Sequence, residues 1–216
     1  MKSIEENKNK KKKQKNKIIM TIKIYLYRYE DIPLDILLSS KYISPLERIS
    51  FDKYSNEAVK KEKIASSILK NKYIGDYYLS ETGKPLSNDK YFNISHSHGY
   101  IALVIDSVPV GIDIEKMRKV DEGLINYISN EEEKQYIHDE ESFFEIWTNK
   151  ESLVKANGFG IKQKVNTIPG LPINGLKSFH DKTYNSRTIK YDELIITVTR
   201  ENSDDFSLVI DNKSFN

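Results

Sequence analysis

Apolar and polar positions alternate in Ile22-Lys-Ile-Tyr-Leu-Tyr27, a run rich in β-formers, and predict a first strand. Pro45 suits the first turn of a helix, and Ala58, Ile64, Ala65, Ile68 and Leu69 are spaced for burial on one face. One helix is therefore expected from Pro45 to about Tyr73. Gly83-Lys84-Pro85 interrupts the pattern as a turn. Tyr91-Phe-Asn-Ile94 and Tyr100-Ile-Ala-Leu-Val-Ile105 read as a pair of strands around Ser95-His-Ser-His-Gly99, and Val110-Gly-Ile-Asp-Ile-Glu115 as a further strand. A helical stretch follows from about Asn130 to Asn157, broken near Asp139 and stopped by Gly158 and Gly160. Leu194-Ile-Ile-Thr-Val-Thr199 and Phe206-Ser-Leu-Val-Ile210 are closing strands. The order strand, helix, strands thus occurs twice. The expected class is α+β, with two similar halves at 20–109 and 110–216 that meet near Val108 to Val110.

Composition adds boundaries to this picture. Of 216 residues, 38% are apolar and 31% charged, which fits a soluble globular chain and excludes a collagen-like or low-complexity architecture. The absence of cysteine excludes disulfides, a thiolate nucleophile, iron–sulfur clusters and Cys-ligated zinc, and fits a cytoplasmic location. No apolar run approaches the ~18 residues of a membrane span. The formal charge of +2 is unevenly spread. Residues 1–19 hold eight Lys and two Glu, a net of +6, so the remainder carries −4. This Lys/Asn/Gln run lacks apolar periodicity and the apolar core of a secretory signal, and is expected to be a disordered basic extension. Basic runs also serve as nucleic-acid or membrane-surface arms, but they are common and non-specific. Neither a nucleic acid nor a membrane is therefore expected as partner.

Three constellations carry chemistry. In Asp113-Ile114-Glu115, strand alternation places both carboxylates on one face, opposite Ile112 and Ile114. Neighbouring carboxylates repel, and a hard divalent cation such as Mg²⁺ relieves the repulsion; two solvated acids on an edge strand are the plainer reading. In the helix around Trp147, the residues Phe143, Trp147, Lys150, Glu151, Val154 and Lys155 fall within one arc. A Trp sharing its face with lysines and a glutamate suits a cleft where an acid reaches a metal and a lysine a phosphate. The plainer reading is snorkelling with Glu151–Lys155 pairing, worth only ~0.3–0.5 kcal/mol. In Ser95-His-Ser-His98, with Lys84-Pro85 upstream, hydroxyl, imidazole and ammonium donors can bind phosphate. His96 and His98 also have metal-ligand spacing, but His138 and His180 supply no matching third ligand.

Together the segments Phe92-Asn-Ile-Ser-His96, Gly111-Ile-Asp-Ile-Glu115 and Trp147-x-x-Lys150-Glu-Ser-x-x-Lys155-x-x-Gly-x-Gly160, in this order and spacing, resemble the Sfp-type 4′-phosphopantetheinyl transferases, which activate acyl and peptidyl carrier proteins. The resemblance runs from about Met20 to Leu171. It implies a monomer built of two halves related by a pseudo-twofold, with the active site between them. It further implies that Asp113, Glu115 and Glu151 ligate Mg²⁺ with the pyrophosphate of coenzyme A, and that Lys155 contacts that pyrophosphate. Ser95 and His96 would meet the phosphates, His96 near the 3′-phosphate, and Lys84 and Pro85 would flank the adenine. Glu132 falls at the family's additional acidic position.

Two departures touch the nucleotide end. Glu62 stands where the family usually has an arginine, with Arg48, Lys61 and Lys63 as substitutes, and the glycine after Ser-His-Ser comes one residue late, at Gly99. The implied reaction is attack of a carrier-protein serine on the β-phosphorus of coenzyme A, with loss of 3′,5′-ADP. Such a step needs alignment and charge neutralisation more than covalent help. The serine also needs a base, either Glu151 or a metal-bound water. The rival expectations are a Mg²⁺-dependent phosphoesterase of another family and a non-catalytic carrier-binding homologue.

Overall fold

The computed structural model describes residues 19–81, 83–158, 160 and 163–212. The basic extension expected at 1–19 lies outside them, apart from the exposed Ile19. Strand β1 (Met20–Arg28) is followed by helices α1 (Leu34–Leu38) and α2 (Pro45–Ser50), a 3₁₀ turn at Phe51–Lys53, and α3 (Glu57–Tyr73). The short strands β2 (Tyr78–Leu79) and β3 (Pro85–Leu86) pair with each other; β4 (Tyr91–Ser97), β5 (Tyr100–Asp106) and β6 (Val110–Lys116) come next. Helices α4 (Glu122–Ile128), α5 (Glu131–Tyr136) and α6 (Glu140–Asn157) precede β7 (Gly175–Phe179), β8 (Lys182–Tyr191), β9 (Leu194–Arg200) and β10 (Phe206–Asn212).

These strands make two four-stranded sheets, ordered β10-β1-β5-β4 and β6-β9-β8-β7. The closing strand therefore crosses back: β10 runs parallel to β1, with Ile22 opposite Leu208 and Ile24 opposite Ile210. The alternation in β1 has a direct physical meaning. Ile22, Ile24 and Leu26 enter a core shared by both sheets, with Val104, Ile112, Ile114, Ile196, Val198 and Phe206. The opposite face of the first sheet meets α3, where Ala65 and Leu69 pack on Tyr27, Ile101 and Leu103. Helix α6 covers the second sheet, placing Phe143 and Phe144 by Ile195, and Leu153 and Ala156 by Tyr184. Full burial of an aliphatic side chain contributes about 1.5–3 kcal/mol, so the shared core is a main source of cohesion between the sheets. Arg200 adds a buried link, with Nε 2.8 Å from Asp106 Oδ2 and an Nη2 bond of 3.1 Å to Oδ1.

The single helix expected from Pro45 to Tyr73 is instead two helices. Ser44 caps α2 in a reciprocal capping box with Glu47, and the helix ends at Ser50 where Phe51 turns inward. Asn56 then accepts from the Val59 amide and starts α3 afresh. Side chains of this kind offer the backbone a local partner that competes with helix continuation. Ala58, expected to be buried, sits exposed in the first turn of α3. The break expected near Asp139 is present, because Asp139 caps α6 by accepting from the Ser142 amide. Gly158 ends α6 in the left-handed conformation, at φ 85°.

Helix α4 and strands β7 and β8 are additions to the sequence reading. Strand β8 escapes apolar alternation because it packs on α6 and β9 through hydroxyls. Ser186 Oγ and Ser152 Oγ lie 2.8 and 2.7 Å from Thr199 Oγ1, and Thr188 Oγ1 lies 2.8 Å from Thr197 Oγ1. Asn149 joins this layer by donating to Thr188 at 2.8 Å.

Behind α6, the buried Lys177 of β7 donates to Asn149 Oδ1 at 2.7 Å and to the Pro172 carbonyl. Burial, with the Arg187 charge adding, pushes its pKa down from 10.5 to about 7. The unfolded chain keeps this amine protonated to its ordinary value. Across that window the unfolded state binds the extra proton, so the contribution of Lys177 to stability improves as pH rises. Urea unfolding at about pH 6 and about pH 9 is expected to show wild type gaining on Lys177→Met at the higher pH. An unchanging difference would mean that Lys177 is equally protonated in the folded and unfolded chains.

Candidate functional site

The site forms where α6 crosses β6 at Gly111. A Cβ on Gly111 would lie 2.0 Å from the Ser152 carbonyl oxygen and 2.5 Å from the Ala156 amide nitrogen, so the helix backbone rests directly on the strand. This contact brings Lys155, one helical turn beyond Glu151, down onto Asp113. Lys155 Nζ is 2.6 Å from Asp113 Oδ1 and 3.1 Å from Ser95 Oγ. Ser95 in turn donates to Asp113 Oδ1 at 2.9 Å.

Strand β4 supplies the other wall. Its expected end before Ser95 is not observed: the strand continues through Ser97, and the turn is at His98 and Gly99. Every second residue then faces β6. Asn93, Ser95 and Ser97 accept from the amides of Ile112, Ile114 and Lys116 at 3.0, 3.4 and 3.2 Å. Side chains thus stitch the edges of the two sheets together, with Ser95 and Ser97 serving structure and site at once.

Asp113 is 5% exposed, which removes the reading of β6 as a strand of solvated acids. Burial raises its pKa against the opposing pull of Lys155, and Glu115 raises it further. Its Oδ2 is buried without a hydrogen-bond partner. Glu151 is half-buried, and its pKa is raised first by burial and then by the charge of Asp113. Glu115 accepts from Trp147 Nε1 at 3.2 Å, Ser97 Oγ at 2.8 Å and Arg118 Nη1 at 3.0 Å. Three carboxylates therefore share one electrostatic environment with Lys155 and Arg118 as counter-charges. Among the described residues, no three His, Cys, Asp or Glu side chains are already gathered tightly enough to enclose an ion. The unpartnered Asp113 Oδ2 and the acceptor-only chemistry of the set nevertheless suit a hard cation.

The remaining candidates are placed as follows. His96 is exposed on β4, its Nε2 3.2 Å from Glu62 Oε1; desolvation lowers its pKa while Glu62 opposes the shift. Lys84 Nζ donates to the Lys155 carbonyl at 2.7 Å, at the C-terminal end of α6 where a cation complements the helix dipole. Lys84 and Pro85 line a cleft of about 350 Å³ with Tyr78, Tyr91, Phe92 and Val110. Arg48 is exposed on α2 and reaches the Ser40 carbonyl at 3.5 Å.

One expected side chain leaves the cleft. Lys150, grouped with Trp147 and Glu151 by helical spacing, is 1% exposed and points to the far side of α6. There it bonds Glu133 Oε2 at 2.7 Å and the Ile168 carbonyl at 2.6 Å. Of the acidic run, Glu132 is exposed and Glu133 is the buried structural partner. Sequence reasoning also missed Arg118 and Ser97. Strand alternation carried two residues past Ser95 would have found Ser97; Arg118 lies beyond β6 and left no periodic signal.

Residues 109–202 match the 4'-phosphopantetheinyl transferase superfamily. That stretch holds Asp113, Glu115, Glu151 and Lys155, while Lys84, Ser95 and His96 precede it. Among individual proteins, the chain is similar to 4'-phosphopantetheinyl transferase gsp of Aneurinibacillus migulanus, 38% identical over 96 residues, covering 41% of this chain and 40% of the relative. It is similar to 4'-phosphopantetheinyl transferase Sfp of Bacillus subtilis (strain 168), 35% identical over 94 residues, covering 39% and 42%. A putative 4'-phosphopantetheinyl transferase of Haemophilus influenzae is 33% identical over 101 residues, covering 41% and 43%. The matched stretch thus spans about two fifths of these relatives. The resemblance seen in the motifs is supported by these matches, and the mixed α+β architecture is consistent with it. No helix among the described residues is long and apolar enough to cross a membrane.

Proposed function

We propose that this protein is a 4′-phosphopantetheinyl transferase that moves the phosphopantetheine group of coenzyme A onto a serine of apo acyl or peptidyl carrier proteins. The observation that carries this reading is the convergence of Asp113, Lys155 and Ser95 within hydrogen-bond distance, with Glu115 and Glu151 in the same field. The segments 20–109 and 110–216 would act as two halves related by a pseudo-twofold with the reaction between them, except that β10, from the second segment, crosses over to complete the sheet of the first. The packing of α3 on one sheet and α6 on the other supports this division. The chain works as a monomer in the cytoplasm, without nucleic acid or membrane as partner.

Asp113, Glu115 and Glu151 would hold Mg²⁺, which supplies neutralisation of the pyrophosphate charge when bound. Lys155 and Ser95, which bond Asp113 in the free protein, would turn an ammonium and a hydroxyl to the same charge. Lys84, Pro85 and His96 receive the nucleotide end. The serine oxygen of the carrier forms a bond to the β-phosphorus, the bond to the α-phosphate oxygen breaks, and 3′,5′-ADP departs. Glu151 is the proton acceptor this chain offers for the serine hydroxyl, since burial and Asp113 raise its affinity for a proton. Mass spectrometry of an apo carrier protein, after incubation with coenzyme A, Mg²⁺ and this protein, is expected to show the gain of one phosphopantetheine. Release of free phosphopantetheine without modification would mark a phosphoesterase instead, and no mass gain across several carriers would overturn the reading.

A further inference from the structure

Strand β4 turns into β5 through only two residues, His98 and Gly99, because Ser97 pairs with Tyr100. Both lie in the left-handed region, at φ 43° and 82°, as a two-residue turn matched to the strand twist requires. At Gly99 the backbone leaves no choice, since a Cβ there would lie 2.4 Å from Glu30 Cβ. His98 is a different case. Its side chain is exposed and adds little burial, and glycine would hold the same φ without steric cost. The resemblance to the transferases expects a glycine directly after Ser97, and this chain has His98 there instead. A strained backbone kept without a packing gain implies that the side chain does something other than pack.

Counting donors and acceptors shows what that is. Ser97 Oγ lies 2.8 Å from Glu115 Oε2, 3.1 Å from His98 Nδ1 and 3.2 Å from the Lys116 amide nitrogen. A hydroxyl has one hydrogen to give and two lone pairs. Glu115, as a carboxylate, can only accept, so the hydrogen goes to Glu115, and the Lys116 amide and His98 Nδ1 both donate to Ser97. This places the imidazole hydrogen on Nδ1 and fills every bonding position of the hydroxyl, which can no longer turn away from Glu115. The effect is felt by the acid itself. Glu115 Oε2 accepts from Ser97 and from Arg118 at 3.0 Å, which occupies both its lone pairs, while Oε1 accepts only from Trp147 Nε1 at 3.2 Å. The carboxylate is held at both oxygens, and Oε1 keeps one lone pair for a cation. We propose that His98 is a positioning residue of the transfer: through Ser97 it fixes the Glu115 carboxylate so that Oε1 is the oxygen offered to the metal. The inference rests on the transferase reading for the identity of the cation site, and it gives His98 no contact with substrate or metal.

The turn itself supplies variants that separate this role from folding. His98→Gly suits the left-handed backbone and removes the imidazole. His98→Asn suits it as well, and its side-chain amide keeps a donor close to the Cβ, where Nδ1 stands. Both are expected to melt no lower than wild type. Calorimetric titration of Mg²⁺ with coenzyme A present should show binding weakened by about tenfold in His98→Gly and near wild type in His98→Asn, since groups that orient a metal-ligating carboxylate carry about 10–100-fold in affinity. Ser97→Ala, which removes the donor to Glu115 outright, should lose at least as much as His98→Gly. In transfer assays kcat should follow the same order, with the KM for carrier protein unchanged. Mg²⁺ binding by His98→Gly within about twofold of wild type, or an equal loss in His98→Gly and His98→Asn, would overturn the inference and leave the transferase reading intact. A lowered melting temperature in both variants would overturn it too, by making His98 a residue of the fold alone. The expected difference in Mg²⁺ binding without transfer by wild type would support the positioning and overturn the proposed activity. Failure of wild type to bind Mg²⁺ with coenzyme A present would overturn both.

Discussion

Asp113→Asn is expected to lower the transfer rate by about 10³-fold, while the unliganded variant melts no lower than wild type. The two effects have one origin. Asp113 is buried beside Glu115 and Glu151, so its negative charge is costly in the resting protein and useful only when a cation or a phosphate group arrives. The amide keeps the acceptor that Ser95 and Lys155 use, at 2.9 and 2.6 Å, and replaces the unpartnered Oδ2 with a neutral group of the same size. The sign of the pH dependence follows. A carboxyl whose folded pKa is raised binds its proton more tightly in the native state. Wild type therefore loses stability relative to the variant as pH rises from the ordinary value of 3.8 through the raised one. Thermal melts of both proteins across that range should diverge in the variant's favour. Calorimetric titration of Mg²⁺ with coenzyme A present should show weaker binding by the variant. Full transfer by Asp113→Asn would reduce the residue to a structural partner of Lys155.

Much of this geometry was legible in the sequence because it rests on strict periods. A strand puts Asp113 and Glu115 on the face opposite Ile112 and Ile114 whatever lies around it, and those isoleucines do enter the shared core. A helix puts Glu151 and Lys155 one turn apart by the same necessity. What periodicity leaves open is which way a wide arc turns. Lys150 and Glu151 are adjacent on α6, yet one bonds Glu133 and the Ile168 carbonyl while the other lies in the field of Asp113. Only the packing of α5 and the 163–174 segment decides between them. The hydroxyl layer under α6 was hidden for a related reason. Ser152 and Ser186 bond Thr199, and Thr148 and Thr188 bond Thr197, so a buried face carries a polar pattern. Glu62 was visible as an oddity in the sequence, but its contact with His96 joins α3 to β4 across 34 positions and needed the fold.

Gly111→Ala is expected to cost about 3 kcal/mol in stability through overpacking, which is ~6–12 °C in Tm for a chain of this size. The reason is the nature of the atoms the new methyl would meet. At 2.0 Å from the Ser152 carbonyl and 2.5 Å from the Ala156 amide it strikes helix backbone, and no rotamer change relieves the clash. Either α6 lifts from β6 or the strand bends, and both leave voids in a close-packed interior. The buried contacts that fix the helix on its other side, Ser152 to Thr199 at 2.7 Å and Lys150 to Glu133 at 2.7 Å, resist the lift and share the strain. Activity should fall further than unfolding alone explains. Lys155 reaches Asp113, and Glu151 comes close enough to feel its charge, because the helix rests on this glycine, and a displacement of ~1 Å at a reacting centre costs about 10²-fold. Transfer measured well below the melting temperature separates the two losses. A variant that melts within ~1 °C of wild type and keeps its rate would show that the β6–α6 contact yields without moving Lys155 from Asp113.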